Sequence, residues 1–429
     1  MTEPIGPPRS DVRLAGHRRC PLLVLALVVC LFGCERQIGT PLDELPAVGG
    51  IPTRNLESAA VADFDPSVDY FPDKINIRHA SQIEVEYHRH YKVARIETRG
   101  MGEEFEFVLV QRGTAIPETR RDALVIQVPV TRFSLGTFRY GRAAELLGVV
   151  DHLVGFGNHA HATVPAILKL FETGKLKKNF NLEAIAERGT EAHFEWYFPA
   201  ALNRSRTGRR LGIPGIPMAE HQEPTPLARA EWLKFFALFF NKERAAEEAF
   251  DRIEEAYEQA RLALPPTDSK PKVLVGVPWS EGWSLHGTNS LGARLIEDAG
   301  GHYLDAGNRS GEANVTVPFE AALASAREAD VWLLGPDFSF GNRLEEQTID
   351  DPRFGFVPAV SSERVFVGHV GYPDGVNPWW DYALVEPHLE LLDLMAILHP
   401  EIHGNRRLRF YRPLESGTRR GRGEGRIDL

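Results

Sequence analysis

The chain has 429 residues, a net charge of −10 and a pI near 5.9. That length carries two to three domains with sizeable cores, and that charge argues against nucleic acid as the main partner. A hydrophobic fraction of 43% is ordinary for a globular body.

Residues 1–33 read as an export signal. Arg9, Arg13, Arg18 and Arg19 form a basic start, and Pro21–Phe32 is an apolar run shorter than the ~18–20 residues a spanning helix needs. Leu31-Phe32-Gly33-Cys34 resembles a bacterial lipobox, in which the cysteine after a small residue is acylated and opens the mature chain. Cys20 and Cys30 precede it, so the mature chain would keep one lipidated cysteine and form no internal disulfide. The expectation is a periplasmic or cell-envelope protein, its body tied to a membrane through Cys34. Residues 34–73, rich in Pro, Gly, Asp and Ser without a sustained period, read as a flexible tether.

Alternation of Ile83, Val85 and Tyr87, then of Tyr91, Val93 and Ile96, then of Phe105, Phe107 and Leu109, predicts a small β element over 74–124. His88-Arg89-His90 falls at its bend and reads as a solvated hairpin tip, since a metal would need a third ligand. Leu124–Val130 reads as the first buried strand of an α/β lobe over 125–240. A helix through Ala144, Leu146 and Leu147 and a second strand, Val149–Gly157, make a β-α-β unit. Open α/β sheets bind ligands at the carboxyl ends of their strands. Thr131–Leu135 and Gly157–Thr163 are therefore the candidate ligand loops, with His159-Ala160-His161 either lining the cleft or, as an alternative, ligating a metal directly.

Thr225-Pro226 opens a helix whose Trp232, Phe235, Phe236, Phe239 and Phe240 share one face. Asn241-Lys242 interrupts it. A second amphipathic run, the linking helix over 241–265, continues to Leu264 and is stopped by Pro265-Pro266. A second α/β lobe spans 270–412. It has a strand at Val273–Val277, an aromatic loop from Pro278 to Ser290, a helix Leu291–Ala299 ending at Gly300-Gly301, and a strand at Ala329–Leu334. A second aromatic loop, Gly371–Trp380, and a final helix, Val385–Leu398, close it. Paired tryptophans in such loops are costly to leave wet, so Trp279, Trp283, Trp379 and Trp380 are candidates for a ligand wall. Residues 413–429 are Arg- and Gly-rich and read as a disordered tail.

From Val125 to Pro400 these segments, in this order, resemble the periplasmic substrate-binding proteins of iron–siderophore and vitamin B12 ABC importers. The match is carried by the strand, Thr131-Arg132-Phe133-Ser134 and Val150-Asp151-His152-Leu153-Val154-Gly155 of the first lobe, by Asn179-Phe180-Asn181-Leu182-Glu183, and by Leu295-Ile296 with Ala299-Gly300-Gly301 in the second. Ala192–Tyr197 departs from the family's strand at that place. The resemblance implies two Rossmann-like α/β lobes joined by a long rigid helix, the class III periplasmic binding protein fold. It also implies a monomer that captures a ferric siderophore or related chelate and delivers it to a permease and its ATPase.

Ligand contacts would fall to Arg132, Ser134, Asn158, His159, Tyr197, Trp279, Trp283, His286, Tyr372, Trp379 and Trp380, with Arg132 meeting the ligand's charge. Glu183 and Glu320, at matching helix starts, would dock to the permease. No cofactor, no protein metal ligand and no catalysis are implied. Cobalamin or haem in the same fold, direct metal binding through His159 and His161, an exported metalloenzyme built on those histidines, and a lipoprotein whose cleft has lost its ligand stand as alternatives. The chain has no HExxH or comparable signature for the metalloenzyme.

Overall fold

The structure is a computed structural model that describes residues 51–57, 60–99, 102–118, 123–198, 207–264, 269–276, 278–279, 282–307, 311, 315–334, 351–368 and 378–414. The signal, Cys34, Tyr372 and residues 415–429 lie outside them, as does the side chain of Trp279.

The N-terminal element is a four-stranded sheet ordered β1-β2-β3-β4. β1 (Ile83–Tyr87), β2 (Tyr91–Glu97) and β3 (Glu104–Gln111) form the expected antiparallel meander. β4 (Leu124–Val128) then joins β3 in parallel, from Phe107 opposite Leu124 to Gln111 opposite Val128. This corrects the sequence reading, in which Leu124–Val130 opened the first lobe. A buried apolar strand looks the same from sequence whichever sheet receives it.

The tether is corrected in part as well. Asn55 and Asp73 exchange backbone-to-side-chain hydrogen bonds at 3.0 Å, Asn241 donates to the Leu56 carbonyl at 2.7 Å, and Tyr70 and Phe71 are buried. Residues 51–57 and 60–73 are thus part of the body, held by two aromatic anchors and specific polar bonds that leave no periodic trace in sequence.

The first lobe's sheet is parallel and ordered β6-β5-β7-β8. Its strands are β5 (Phe133–Leu135), β6 (Leu153–Phe156), β7 (Ala192–Trp196) and β8 (Gly215–Met218). All three residues of β5 are buried, as both-face burial in a parallel sheet requires. The helices of this lobe include α1 (Gly141–Leu146), α2 (Pro165–Glu172) and α3 (Leu182–Glu187).

The second lobe's sheet is ordered β12-β9-β14-β15-β16. It comprises β9 (Lys272–Val275), β12 (His302–Tyr303), β14 (Val331–Leu334) and β15 (Val365–Val367) in parallel, with β16 (Arg412–Pro413) antiparallel at the edge. A small sheet of β10 (Pro278–Trp279), β11 (Gly282–Leu285) and β13 (Val315–Val317) sits beside it. Its helices include α7 (Leu291–Asp298) and α8 (Phe319–Ala326).

Helices α4 (Pro226–Ala230), α5 (Trp232–Ala237) and α6 (Glu243–Leu262) run between the lobes. Thr225 caps α4 by accepting from the Ala228 amide at 3.2 Å. Asn241 breaks the spine before α6 by taking φ +56°, a left-handed conformation that Asn tolerates better than most residues. The predicted aromatic face is fully buried but serves two sheets. Phe235 and Phe239 pack edge-on against Phe107 of β3, while Phe236 and Phe240 meet Phe133 of β5 and Phe194 of β7. At the far end of α6, the Tyr257 hydroxyl donates to Asp298 of α7 at 2.7 Å.

Two C-terminal helices, α9 (Trp379–Val385) and α10 (Pro387–Leu398), return to this spine, and α10 packs along α6. Asp381 is hydrogen-bonded by the Thr163 hydroxyl, and Arg142 of α1 pairs with Glu386 at 2.6 Å, so α9 is fastened to the first lobe.

Candidate functional site

A cavity of about 580 Å³ lies between the two lobes. The first lobe contributes Arg139, Trp196, His221 and Arg229; the second contributes Ser284, His286 and the start of α7; the C-terminal helices add Trp379, Trp380, Glu390 and, beyond them, Tyr411. The volume is within the range of small-molecule sites.

Arg139 follows the carboxyl end of β5, across Gly136. Its guanidinium lies 4.2 Å from the ring centre of Trp196 and 4.2 Å from that of Trp380, a cation clamped between two indole faces. It is 7% exposed. Its polar neighbour is Glu220, 4.0 Å away, and it makes no side-chain hydrogen bond among the described residues. Burial lowers its pKa to about 10, against the opposing pull of Glu220, so it stays charged at neutral pH. Glu220 is itself buried and accepts from the Tyr140 hydroxyl at 2.9 Å. Burial raises its carboxyl, and Arg139 and Arg229 draw it back down.

His221 accepts from the Trp196 indole N–H through Nδ1 at 2.7 Å, which places the ring proton on Nε2. Burial pushes its pKa down to about 3 and that of His286 to about 4, so both imidazoles are neutral. Arg229 donates through Nη2 to the His221 carbonyl at 3.0 Å. Glu390 accepts from the Tyr411 hydroxyl at 2.7 Å, and burial raises its carboxyl to about 7. The walls are thus aromatic, two guanidiniums carry the positive charge, and the imidazoles add hydrogen-bonding capacity without charge.

Of the residues expected at the ligand, His286, Trp379 and Trp380 line this cavity. Arg132 does not. It precedes β5, at the amino end of the sheet, where it donates to the Gly189 carbonyl at 2.9 Å and pairs with Glu191 at 3.0 Å. Ser134 lies inside β5, hydrogen-bonded to Nδ1 of His193 at 2.8 Å. Trp283 is wholly buried against Trp332, Phe319 and Phe354, in the core of the second lobe rather than in a ligand wall.

Tyr197 is buried too, its hydroxyl donating to Glu103 at 2.5 Å. Asn158 caps the turn His159–His161; in that turn His161 stacks on Phe138 and His159 tilts against Phe171. None of Tyr197, Asn158, His159 and His161 lines the cavity. Among the described residues no three His, Cys, Asp or Glu groups are placed to hold a metal ion.

Arg139, Trp196, His221, Arg229 and Glu390 were not singled out from sequence. The rule that ligands sit at carboxyl strand ends points to the right end of the sheet, but the lobe's first strand is β5 rather than β4, so the loop that reaches the cavity is Gly136–Tyr140 and not Thr131–Leu135.

Residues 210–370 match a family model described as periplasmic binding protein. An uncharacterized lipoprotein of Methanocaldococcus jannaschii is 29% identical over 206 residues, 47% of this chain and 46% of its own length, so that alignment spans about half of the relative. A second uncharacterized lipoprotein of that organism is 25% identical over 315 residues, 70% of this chain and 77% of the relative. A crystal structure of a periplasmic binding protein from Veillonella parvula superposes with a TM-score of 0.52 at 12% identity, covering 76% of this chain and all of that one. No helix among the described residues is long and apolar enough to cross a membrane. The matched segment is similar to the periplasmic binding protein family, and the body carries the class III, two-lobed α/β fold with an added N-terminal sheet.

Proposed function

We propose that this chain captures an anionic metal chelate, a ferric siderophore or a compound of similar kind, between its lobes and delivers it to the permease of an ATP-driven importer. The observation that carries this reading is Arg139, a buried cation held between Trp196 and Trp380 with no hydrogen bond on its guanidinium among the described residues. Indole faces and Tyr411 give a flat ligand apolar contact. Arg139 and Arg229 offset its negative charge. The metal would be held by the chelator's own atoms, and the neutral His221 and His286 would accept or donate hydrogen bonds at its rim.

Delivery would use Glu183 and Glu320. Both are exposed, in the first turns of α3 and α8, one on each lobe. Lipidation at Cys34 would keep the body near the membrane that holds the permease.

The test is retention. The full mature chain is incubated with ferric hydroxamate, catecholate and carboxylate siderophores, haem, cobalamin and bare metal ions, then freed of unbound ligand by gel filtration. One chelate retained at one per chain supports the reading. Retention of none, or of bare metal alone, removes it.

A further inference from the structure

The first lobe's sheet ends in two edge strands, β6 and β8. β8 carries Pro217, which has no amide to offer a further strand. β6 reads Leu153-Val154-Gly155-Phe156, with neither a proline nor a charge. An edge strand without such protection is a template for pairing with another chain.

The outward side of β6 is open in a specific place. Gly157, just after the strand, donates its amide to the Leu135 carbonyl of β5 at 2.7 Å. Backbone groups alternate in direction along a strand, so Phe156 turns its amide and carbonyl away from β5. Neither has a backbone or side-chain partner among the described residues. The Val154 carbonyl is met by Nη1 of Arg188 at 2.9 Å.

Beside this edge lies a second cavity, of about 380 Å³. β6 forms one wall, and the loop 177–181 with α3 forms the other. A Cβ at Gly155 would lie 2.5 Å from Cγ2 of Ile185, so α3 closes the face of the strand and the space is left toward its edge. Lys177 and Lys178, both exposed, line the cavity together with Arg188, and no Asp or Glu does. In a chain of net charge −10 that is a local excess of positive charge.

We propose that the outer edge of β6 takes an extended acidic segment of a partner chain as an added strand, paired with Phe156 and with its carboxylates on Lys177, Lys178 and Arg188. Main-chain hydrogen bonds would supply the pairing, and the three cations would select for acidic sequence. The site is separate from the interlobe cavity and does not depend on what that cavity binds.

The test is fluorescence anisotropy of two short labelled peptides, one alternating glutamate with valine and one alternating lysine with valine, titrated with the full mature chain. The acidic peptide is expected to bind saturably and the basic one not at all. Lys177→Glu with Lys178→Glu should weaken the acidic peptide about tenfold or more, with unchanged circular dichroism. N-methylation of that peptide on alternate residues keeps its charge and removes its ladder hydrogen bonds, and should weaken it about tenfold as well. Amide hydrogen exchange at Phe156 should slow when the unmethylated acidic peptide is bound.

No saturable binding of the acidic peptide, equal binding of the two peptides, or wild-type affinity in the lysine variant overturns the proposal. Undiminished binding of the N-methylated peptide, with no slowing at Phe156, would mean anion contact without an added strand and overturns it too. Self-association of the chain alone that the lysine variant abolishes would put a second copy on this edge instead.

Discussion

Glu390 is a buried carboxyl in the wall of the cavity. It faces Arg229 from α4, Trp379 from α9, Tyr411, and Asp393 one turn along α10, and burial outweighs them in raising its carboxyl to about 7. A carboxyl whose folded pKa lies above its unfolded value of ~4.3 contributes stability that is complete below about pH 4 and is lost as pH rises through 7. Asp381 is raised to about 7 in the same way, its burial offset by bonds from Thr163 and Gly141. The contribution of these two carboxyls should therefore fall between pH 5 and pH 8, while His221 and His286, held neutral by burial, oppose it below their unfolded value of ~6.5; Glu390→Gln should remove part of the fall between pH 6.5 and pH 8 in urea titrations at each pH. A wild-type and variant slope that coincide would place the titration elsewhere. If the cavity takes an anionic ligand as proposed, its affinity should fall above pH 7, where ionised Glu390 opposes Arg229, and Glu390→Gln should bind equally on both sides of neutrality.

At the scale of elements, the N-terminal sheet is built into the first lobe by buried polar contacts rather than by apolar packing alone. Lys92 of β2 is fully buried, bonded to Glu243 at the start of α6 at 2.5 Å and to the Leu238 carbonyl at 2.6 Å. Glu231 accepts the amides of Arg78, His79 and Ala80, and Glu223, a cavity residue, accepts those of Ser81 and Gln82. Removing one member of a buried ion pair strands the other. Lys92→Met should cost about 3–5 kcal/mol in equilibrium unfolding, and adding Glu243→Leu should recover most of it. A single variant as stable as wild type would mean that the pair is not buried in solution.

These contacts also explain what sequence could and could not convey at this scale. The aromatic face of Trp232 to Phe240 and the amphipathic run to Leu264 were legible because helix periodicity repeats over many residues. The membership of β4 and the ordering of residues 51–57 and 60–73 were not, because both depend on partners distant in the chain: Phe107 to Gln111 for the strand, Asn241 for Leu56 and Arg244 for Asp73. Trp283 was misjudged for a related reason. A tryptophan in a Gly-rich stretch has the same pattern whether it faces a ligand or, as here, Trp332 and Phe354.

For the whole molecule, the two lobes, the α4–α6 spine and the returning α9–α10 pair form a frame in which the cavity wall is shared. α9 belongs to the C-terminal part of the sequence but is fastened to the first lobe through Thr163 and Arg142. Trp380 is thus held over Arg139 by contacts to the first lobe. Glu183 and Glu320 lie outside this frame, exposed on separate lobes. Reversing both, Glu183→Arg with Glu320→Arg, should abolish uptake into cells while leaving ligand affinity unchanged; uptake that persists would remove them from the docking surface.

The most direct measurement is a tryptophan-quenching titration of the full mature chain beside Arg139→Ala, using the siderophores, haem and cobalamin. Trp196, Trp379 and Trp380, three of the chain's seven tryptophans, line the cavity and report its occupancy. The account predicts saturable quenching by one chelate, weakened about tenfold or more in Arg139→Ala through loss of a charged contact. Saturable binding that Arg139→Ala leaves intact would contradict it, as would the absence of quenching by every chelate.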